Sequence, residues 1–236
     1  MRVLALDSTT RAGSVALVEN GEVIDERAGD ASRTHGERLP DELAQLGAAW
    51  ATVDIFAVAS GPGSFTGLRI GIATMQGLAL VTGARVAGIS ALEAIAQLAS
   101  RDSAADALVA AWVDAQRGEV FSALYRIADA PVFSSERLIV LEPPAVARPD
   151  VTLESWSTYD LGSVIFAGDG AVRYESILRA LEPGARLAPA ALLAGAIGRM
   201  AESSASRGLA GSPASIHPLY VRRPDAELHR EHSQTR

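Results

Sequence analysis

Three stretches of this sequence gather side chains that hold phosphate or metal when a turn presents them. The first is Asp7-Ser8-Thr9-Thr10, where an acidic and hydroxyl-bearing run closes an apolar segment. A carboxylate and hydroxyls at a strand end suit a magnesium ion and nucleotide phosphates, but the same residues also make a turn that bonds only its own backbone. The second is Gly61-Pro62-Gly63-Ser64-Phe65-Thr66-Gly67, between an apolar run and a helix-like segment. Amides at a helix start attract anions, yet the run lacks the Gly-Lys-Ser/Thr ending of a Walker A loop and the glycine spacing of a dinucleotide fingerprint. The competing reading is a tight turn that lets the helix lie close to a sheet. The third is Asp114-Ala115-Gln116-Arg117-Gly118, which repeats the pattern of Asp7 with Gly13: an apolar strand ending in Asp, a short polar turn with one Gly, and a returning strand. The phosphate-loop candidates are therefore Asp7, Ser8, Thr9, Gly61, Gly63, Ser64, Asp114 and Gly118.

Other chemistries find little support. Without cysteine there is no disulfide, thiolate nucleophile or cysteine-ligated zinc. The four histidines, His35, His217, His229 and His232, include no pair four apart on a helical segment, and no Gly-x-Ser-x-Gly elbow is present. The net charge is −7, and all 21 cationic side chains are arginine, scattered except for Arg222-Arg223. A chain that holds nucleic acid by itself usually carries a basic stripe, so contact with a polyanion is expected to be indirect. The N-terminus lacks the cationic start and long apolar core of a signal peptide. The longest apolar stretch, 70–81, is interrupted by Gly71, Thr74, Gln76 and Gly77 and falls short of the roughly 20 residues of a membrane span. A cytoplasmic protein with no membrane contact is expected.

The elements that would position these turns follow from periodicity. A length of 236 residues suits two lobes of about 100 residues. Strands are expected at 3–6, 13–18 and 22–27, with Asn20-Gly21 as a hairpin turn. A helix over 36–50 follows from Leu39, Leu43 and Leu46, then a buried strand at 55–59, a helix to 82, a strand at 85–88 and a helix over 90–100. Ser90 and Glu93 read as a capping box for that last helix. The polar segment 101–106 separates the lobes, giving 1–104 and 105–236. The second lobe begins with strands at 107–113 and 119–127, with further strand at 132–141. Pro-rich turn character marks 143–151, followed by a strand at 164–167, a helix from Gly168-Asp169-Gly170 to 181, and an Ala- and Leu-rich helix over 189–203 that packs back on the first lobe. The tail from 211 is expected to be extended, with a disordered end. An α/β architecture of two mixed sheets with packed helices results. In 66–82, small residues (Gly67, Gly71, Ala73, Thr74, Gly77) alternate with Leu68, Ile72, Met75 and Ala79. Such a helix needs cover on more than one side, from its own lobe or from a partner chain.

Four segments together carry a resemblance: Leu4-Ala5-Leu6-Asp7-Ser8-Thr9, Gly61-Pro62-Gly63-Ser64-Phe65-Thr66-Gly67-Leu68-Arg69-Ile70-Gly71, Asp114-Ala115-Gln116-Arg117-Gly118-Glu119-Val120-Phe121 and Pro218-Leu219-Tyr220-Val221-Arg222-Arg223. In this order, across nearly the whole chain, they resemble the TsaB (YeaZ-like) family, a non-catalytic subunit of the machinery that forms threonylcarbamoyladenosine on tRNA. The resemblance implies the actin-like, sugar-kinase-like ATPase (ASKHA, ribonuclease H-like) fold. It also implies docking to a catalytic TsaD-like subunit through the first lobe, with Thr66, Leu68, Arg69, Ile72, Met75, Gln76, Leu92 and Glu93 at the interface. A TsaE-like ATPase subunit would join, a homodimer would form in isolation, and tRNA would be held indirectly. The TsaD-like relative carries a metal-binding His-x-x-x-His where Ala91 and Ile95 stand here, so no metal and no catalytic residue are expected. No cofactor would be required, and weak ATP or ADP binding with magnesium stays open. The alternatives are a stand-alone ATPase or small-molecule kinase using Asp7 and the 61–67 loop, a peptidase, and a purely homodimeric structural protein.

Overall fold

The structure is a computed structural model and describes residues 1–47, 49–208 and 210–222. His229, His232, Arg223 and the end of the tail lie outside the described residues.

The first sheet is built from β1 (Arg2–Asp7), β2 (Ser14–Glu19), β3 (Glu22–Ala28), β4 (Ile55–Gly61) and β5 (Arg85–Ser90), in the order β3-β2-β1-β4-β5. The β1–β2–β3 meander is antiparallel, and β4 and β5 add in parallel. The second sheet uses β6 (Leu108–Asp114), β7 (Val120–Ile127), β8 (Leu138–Ala147), β9 (Ile165–Ala167) and β10 (Arg186–Leu187). Its order, read as β8-β7-β6-β9-β10, repeats the first: third, second, first, fourth, fifth, with the same strand directions. The two Asp-ended strands found in the sequence, β1 and β6, are the central strands of these two copies. This duplicated arrangement is the actin-like (ASKHA-type) α/β fold.

Helices α1 (His35–Gln45), α2 (Phe65–Thr82) and α3 (Ala91–Ala99) belong to the first half; α4 (Pro149–Ser155), α5 (Asp169–Arg173), α6 (Glu175–Leu181) and α7 (Ala194–Ala205) belong to the second. Side chains alternate across a strand, and the faces differ in size. On β1, Val3 and Ala5 join a central core with Ala16, Val18 and Ala57, against α3, α7 and the inner face of the second sheet. Leu4 and Leu6 point the other way, into a core with Phe56, Ile72, Met75, Leu39 and Leu43 under α1 and α2. Beyond the second sheet, Trp112, Trp156, Phe166 and Leu153 form a third core. Both sheets are covered on both faces, which is why their central strands read as unbroken apolar runs. The Ala-rich inner faces let α3 and α7 lie close: a Cβ on Gly198 of α7 would run into Val18. Helix α7 packs on β1, β2, β4 and β5, and its first amides are capped by the first sheet. Ser14 Oγ accepts from Leu193 and Ala194, and Glu26 accepts from Gly195 at 2.7 Å.

Several local expectations change. The first helix ends at Gln45, short of the expected 50, and a separate 3₁₀ turn, Trp50–Thr52, begins where the expected helix would have ended. Its start is fixed by a capping arrangement not expected from the sequence: Glu37 accepts from the backbone and hydroxyl of Thr34. At α3 only half of the expected box forms, with Ser90 Oγ accepting from the Glu93 amide. Residues 143–147, expected as a turn, continue β8. Pro143-Pro144 is tolerated because β8 is an edge strand and its register with β7 slips there. The helix expected from 170 to 181 breaks into α5 and α6 at Tyr174. Among the described residues, one helix, α2, has the length and apolarity to cross a bilayer; its buried side is core of the first lobe.

Candidate functional site

The ends of β1, β4 and β6, the start of α2 and the strap 219–222 converge on one cleft of about 1230 Å³ between the two sheets. Its walls therefore contain parts of all four segments singled out in the sequence. The strap runs along the first lobe, where the Leu219 amide donates to the Ser60 carbonyl at 2.7 Å. It then crosses to the second lobe, where Arg222 donates to the Ala115 carbonyl at 2.9 Å and pairs with Glu119. Phe65 and Tyr220 stack with ring centroids 5.1 Å apart, and the Arg69 guanidinium lies 3.9 Å from the Phe65 centroid while its Nε donates to the Tyr220 hydroxyl at 3.0 Å.

Of the phosphate-loop candidates, Thr9, Gly63, Ser64 and Asp114 line the cleft, while Asp7, Ser8 and Gly61 are buried behind it. Asp7 is buried, and its Oδ1 accepts from the Thr9 amide at 2.8 Å and the Thr9 hydroxyl at 2.6 Å. Burial raises its pKa above the usual carboxylate value against these hydrogen bonds, and the negative charge of Asp169 pushes the same way. The Ser64 amide donates to the Thr9 carbonyl at 2.7 Å, and a Cβ on Gly63 would sit 2.5 Å from Thr9 Cβ. One turn on, Gly67 and Gly71 pass so close to Ser8 that any side chain would overlap its carbonyl and hydroxyl. Gly61, at φ +118°, is crowded by Leu219 of the strap. These glycines serve close approach between α2, the 8–13 loop and the strap, and Ser64 caps α2 by accepting from Gly67.

The second loop is similarly occupied. Asp114 accepts from the backbone and side chain of Gln116 and from the Tyr174 hydroxyl, and forms an ion pair with Arg173 at 3.3 Å. Residues Gln116, Arg117 and Gly118 take three successive left-handed conformations, curling the turn back on Asp114. Asp169, which sequence reasoning did not single out, accepts from the Asp114 amide at 3.2 Å, and burial raises its pKa. A magnesium–nucleotide site needs a carboxylate free to face the ion. Asp114 has both oxygens on protein donors, whereas Asp7 uses only Oδ1, for Thr9.

The interface candidates divide into two sets. Leu68, Ile72, Met75 and Leu92 are buried inside the protein and offer no outer surface, which corrects the sequence expectation for them; α3 is sandwiched between the sheets. Thr66 and Arg69 are exposed, and Gln76 donates to the Pro213 and Ile216 carbonyls, fastening the tail. Glu93 is half-buried, with its pKa raised by burial. The outer side of α2 instead carries Ala73, Gly77, Leu80 and Val81, the last two 76% and 87% exposed. Ala91 and Ile95 are buried core residues, and no group of His, Asp and Glu able to hold a metal occurs among the described residues.

The family model described as TsaD, tRNA N6-adenosine threonylcarbamoyltransferase, matches residues 25–141. YeaZ from Pseudomonas aeruginosa superposes with a TM-score of 0.69 at 30% identity, over 93% of this chain and 99% of that one. The chain belongs to the TsaB/YeaZ family. The tRNA threonylcarbamoyladenosine biosynthesis protein TsaB of Escherichia coli is 37% identical over 65% of each chain, and that of Haemophilus influenzae is 46% identical over 51% of this chain. The chain thus spans 65% and 52% of the length of these two curated TsaB relatives.

Proposed function

We propose that this TsaB/YeaZ-like chain acts in tRNA threonylcarbamoyladenosine formation as a non-catalytic, cytoplasmic docking subunit for a TsaD-like transferase. The outer face of α2 supports this reading. Ala73 and Gly77 let another helix approach closely, and Leu80 and Val81 beside them are large apolar side chains in water. Burying both would contribute roughly 3 kcal/mol or more. In isolation the same face serves a second copy of the chain; in the assembly it serves the transferase. A TsaE-like ATPase joins that pair, and tRNA is held mainly by the partner. The cleft, whose aspartates are committed to their own loops, supplies no reacting group, and ATP or ADP with magnesium is not required.

The test is mass spectrometry of tRNA nucleosides from cells depleted of the protein and complemented with either wild type or the Leu80→Glu/Val81→Glu double variant. Wild type should restore threonylcarbamoyladenosine and the variant should not, although both accumulate as folded protein. Full restoration by the variant would remove the docking face from the proposal. An unchanged nucleoside level under verified depletion would remove the pathway. ATP turnover by the purified chain, lost in Asp7→Ala, would replace both with the ATPase reading.

A further inference from the structure

Buried charges are normally paired with an opposite charge or hold an ion. Arg137, just before β8, is an exception. It is 8% exposed, and all its donors go to neutral oxygens: the Ser100, Ser103, Ala128 and Ala130 carbonyls and the Ser100 hydroxyl. These contacts satisfy its hydrogens and leave its charge without a counter-charge. Two more arginines gather on the same loop. The guanidinium carbons of Arg101 and Arg199 lie 5.2 and 4.5 Å from the Phe133 ring centroid. Among the described residues neither side chain has a hydrogen-bond or carboxylate partner. The acidic residues nearest in the chain do not supply one: Asp102, Asp129 and Glu136 are exposed and pair with none of the three, and Glu202 accepts from the Gly21 amide. The position of the shared ring is imposed. Phe133 takes φ +67°, a left-handed conformation costly for a bulky side chain. Gln97 of α3 holds it there, accepting from the Phe133 amide and donating to the Ser134 carbonyl, both at 2.7 Å. The next hydroxyl, Ser134 Oγ, is buried without a partner. The cluster sits where β6 begins and β7 ends, at the end of the second sheet away from the cleft, and none of its residues lines that cleft.

We propose that Arg101 and Arg199 together bind one phosphate group, inorganic or carried on a small monoester, with Arg137 adding positive potential from the interior. Guanidinium groups grip phosphate oxygens through charge-assisted, often bidentate hydrogen bonds. A small dianion suits the site better than a polyanion. A chain of net charge −7 repels a strand of phosphates as a whole, whereas two local cations neutralise a single group. Bound there, the phosphate ties the end of α3 to the middle of α7 beside the 128–134 loop. It stiffens the junction of the lobes without entering the cleft or covering the outer face of α2.

The experiment is calorimetric titration of the purified chain with inorganic phosphate and with glycerol phosphate, at an ionic strength held constant with chloride. Arg101→Gln, an exposed change, and Arg199→Gln should each weaken phosphate binding about tenfold, the scale of one charge-assisted contact. Arg199→Lys, which keeps the charge, should retain part of what Arg199→Gln loses, and Arg11→Gln on the cleft wall should bind like wild type. In wild type, added phosphate should slow hydrogen exchange at 128–134 and in α7. Glycerol phosphate binding as tightly as inorganic phosphate supports a phosphorylated metabolite as the ligand; binding of inorganic phosphate alone supports the free ion. Absence of saturable phosphate binding, equal binding by wild type and both glutamine variants, or a loss in Arg11→Gln instead would each overturn the proposal.

Discussion

His35 and Arg38 show how much of the cleft wall depends on one proton. Arg38 is buried, pairs with Glu42, donates to the Arg11 and Ala12 carbonyls, and directs Nη2 at His35 Nδ1, 2.7 Å away. The other imidazole nitrogen reaches the Thr10 carbonyl at 3.1 Å. Nδ1 must therefore accept and Nε2 must donate, which is the neutral ring. Burial first, and then the Arg38 charge, hold the imidazole below its usual 6.5. The unfolded chain takes up this proton before the folded one, so the stabilisation is complete above 6.5 and is lost as pH falls from there towards the lowered value. Melting temperature should drop as pH falls below about 6.5, and the drop should be shallower in His35→Gln. Asp7 has the opposite sign: its raised pKa means that the buried carboxylate opposes folding at neutral pH. Asp7→Asn keeps an oxygen for Thr9 and should raise the melting point at pH 7 by about 3 °C, whereas Asp7→Ala should lower it. The sequence left both uses of Asp7 open because an aspartate before Ser-Thr makes the same turn with or without a ligand. Gly63 and the Ser64 amide, more than fifty residues away in the chain, pack on the Thr9 that Asp7 holds.

At the scale of elements, α2 separates two kinds of glycine. Gly71 touches Ser8, and Gly71→Ala should destabilise the protein by about 1–3 kcal/mol through overpacking, read as a lower denaturation midpoint. Gly77 has open space around it, and Gly77→Ala should stabilise the monomer by about 0.5–1 kcal/mol. The same variant should weaken the proposed docking in a pull-down if a partner helix approaches there. The sequence made plain that α2 needs cover on more than one side, but not which side its own lobe supplies. Leu68, Ile72 and Met75 went to the sheet, and the outward face fell to Ala73, Gly77, Leu80 and Val81. Helical periodicity defines faces without saying what lies opposite them. β8 is the converse case: Pro143-Pro144 reads as a breaker in isolation, and only its place at the sheet edge makes it strand.

At the scale of the molecule, the repeated strand order was legible from two Asp-ended strands, because each begins the same antiparallel meander. The reach of the last helix was less so. α7 follows the second sheet in the chain, yet the side chains that cap its start, Ser14 and Glu26, belong to the first. Residues 1–104 alone should therefore stay aggregation-prone and weakly protected in hydrogen exchange, and co-expression with the rest of the chain should restore protection. Synthesis runs from the N-terminus. On the ribosome, the alanine-lined face of β1, β2 and β4 is made early, and α7, which closes it, begins about 130 residues after β4 ends. The first lobe is thus finished by a helix that is made only after the whole second sheet.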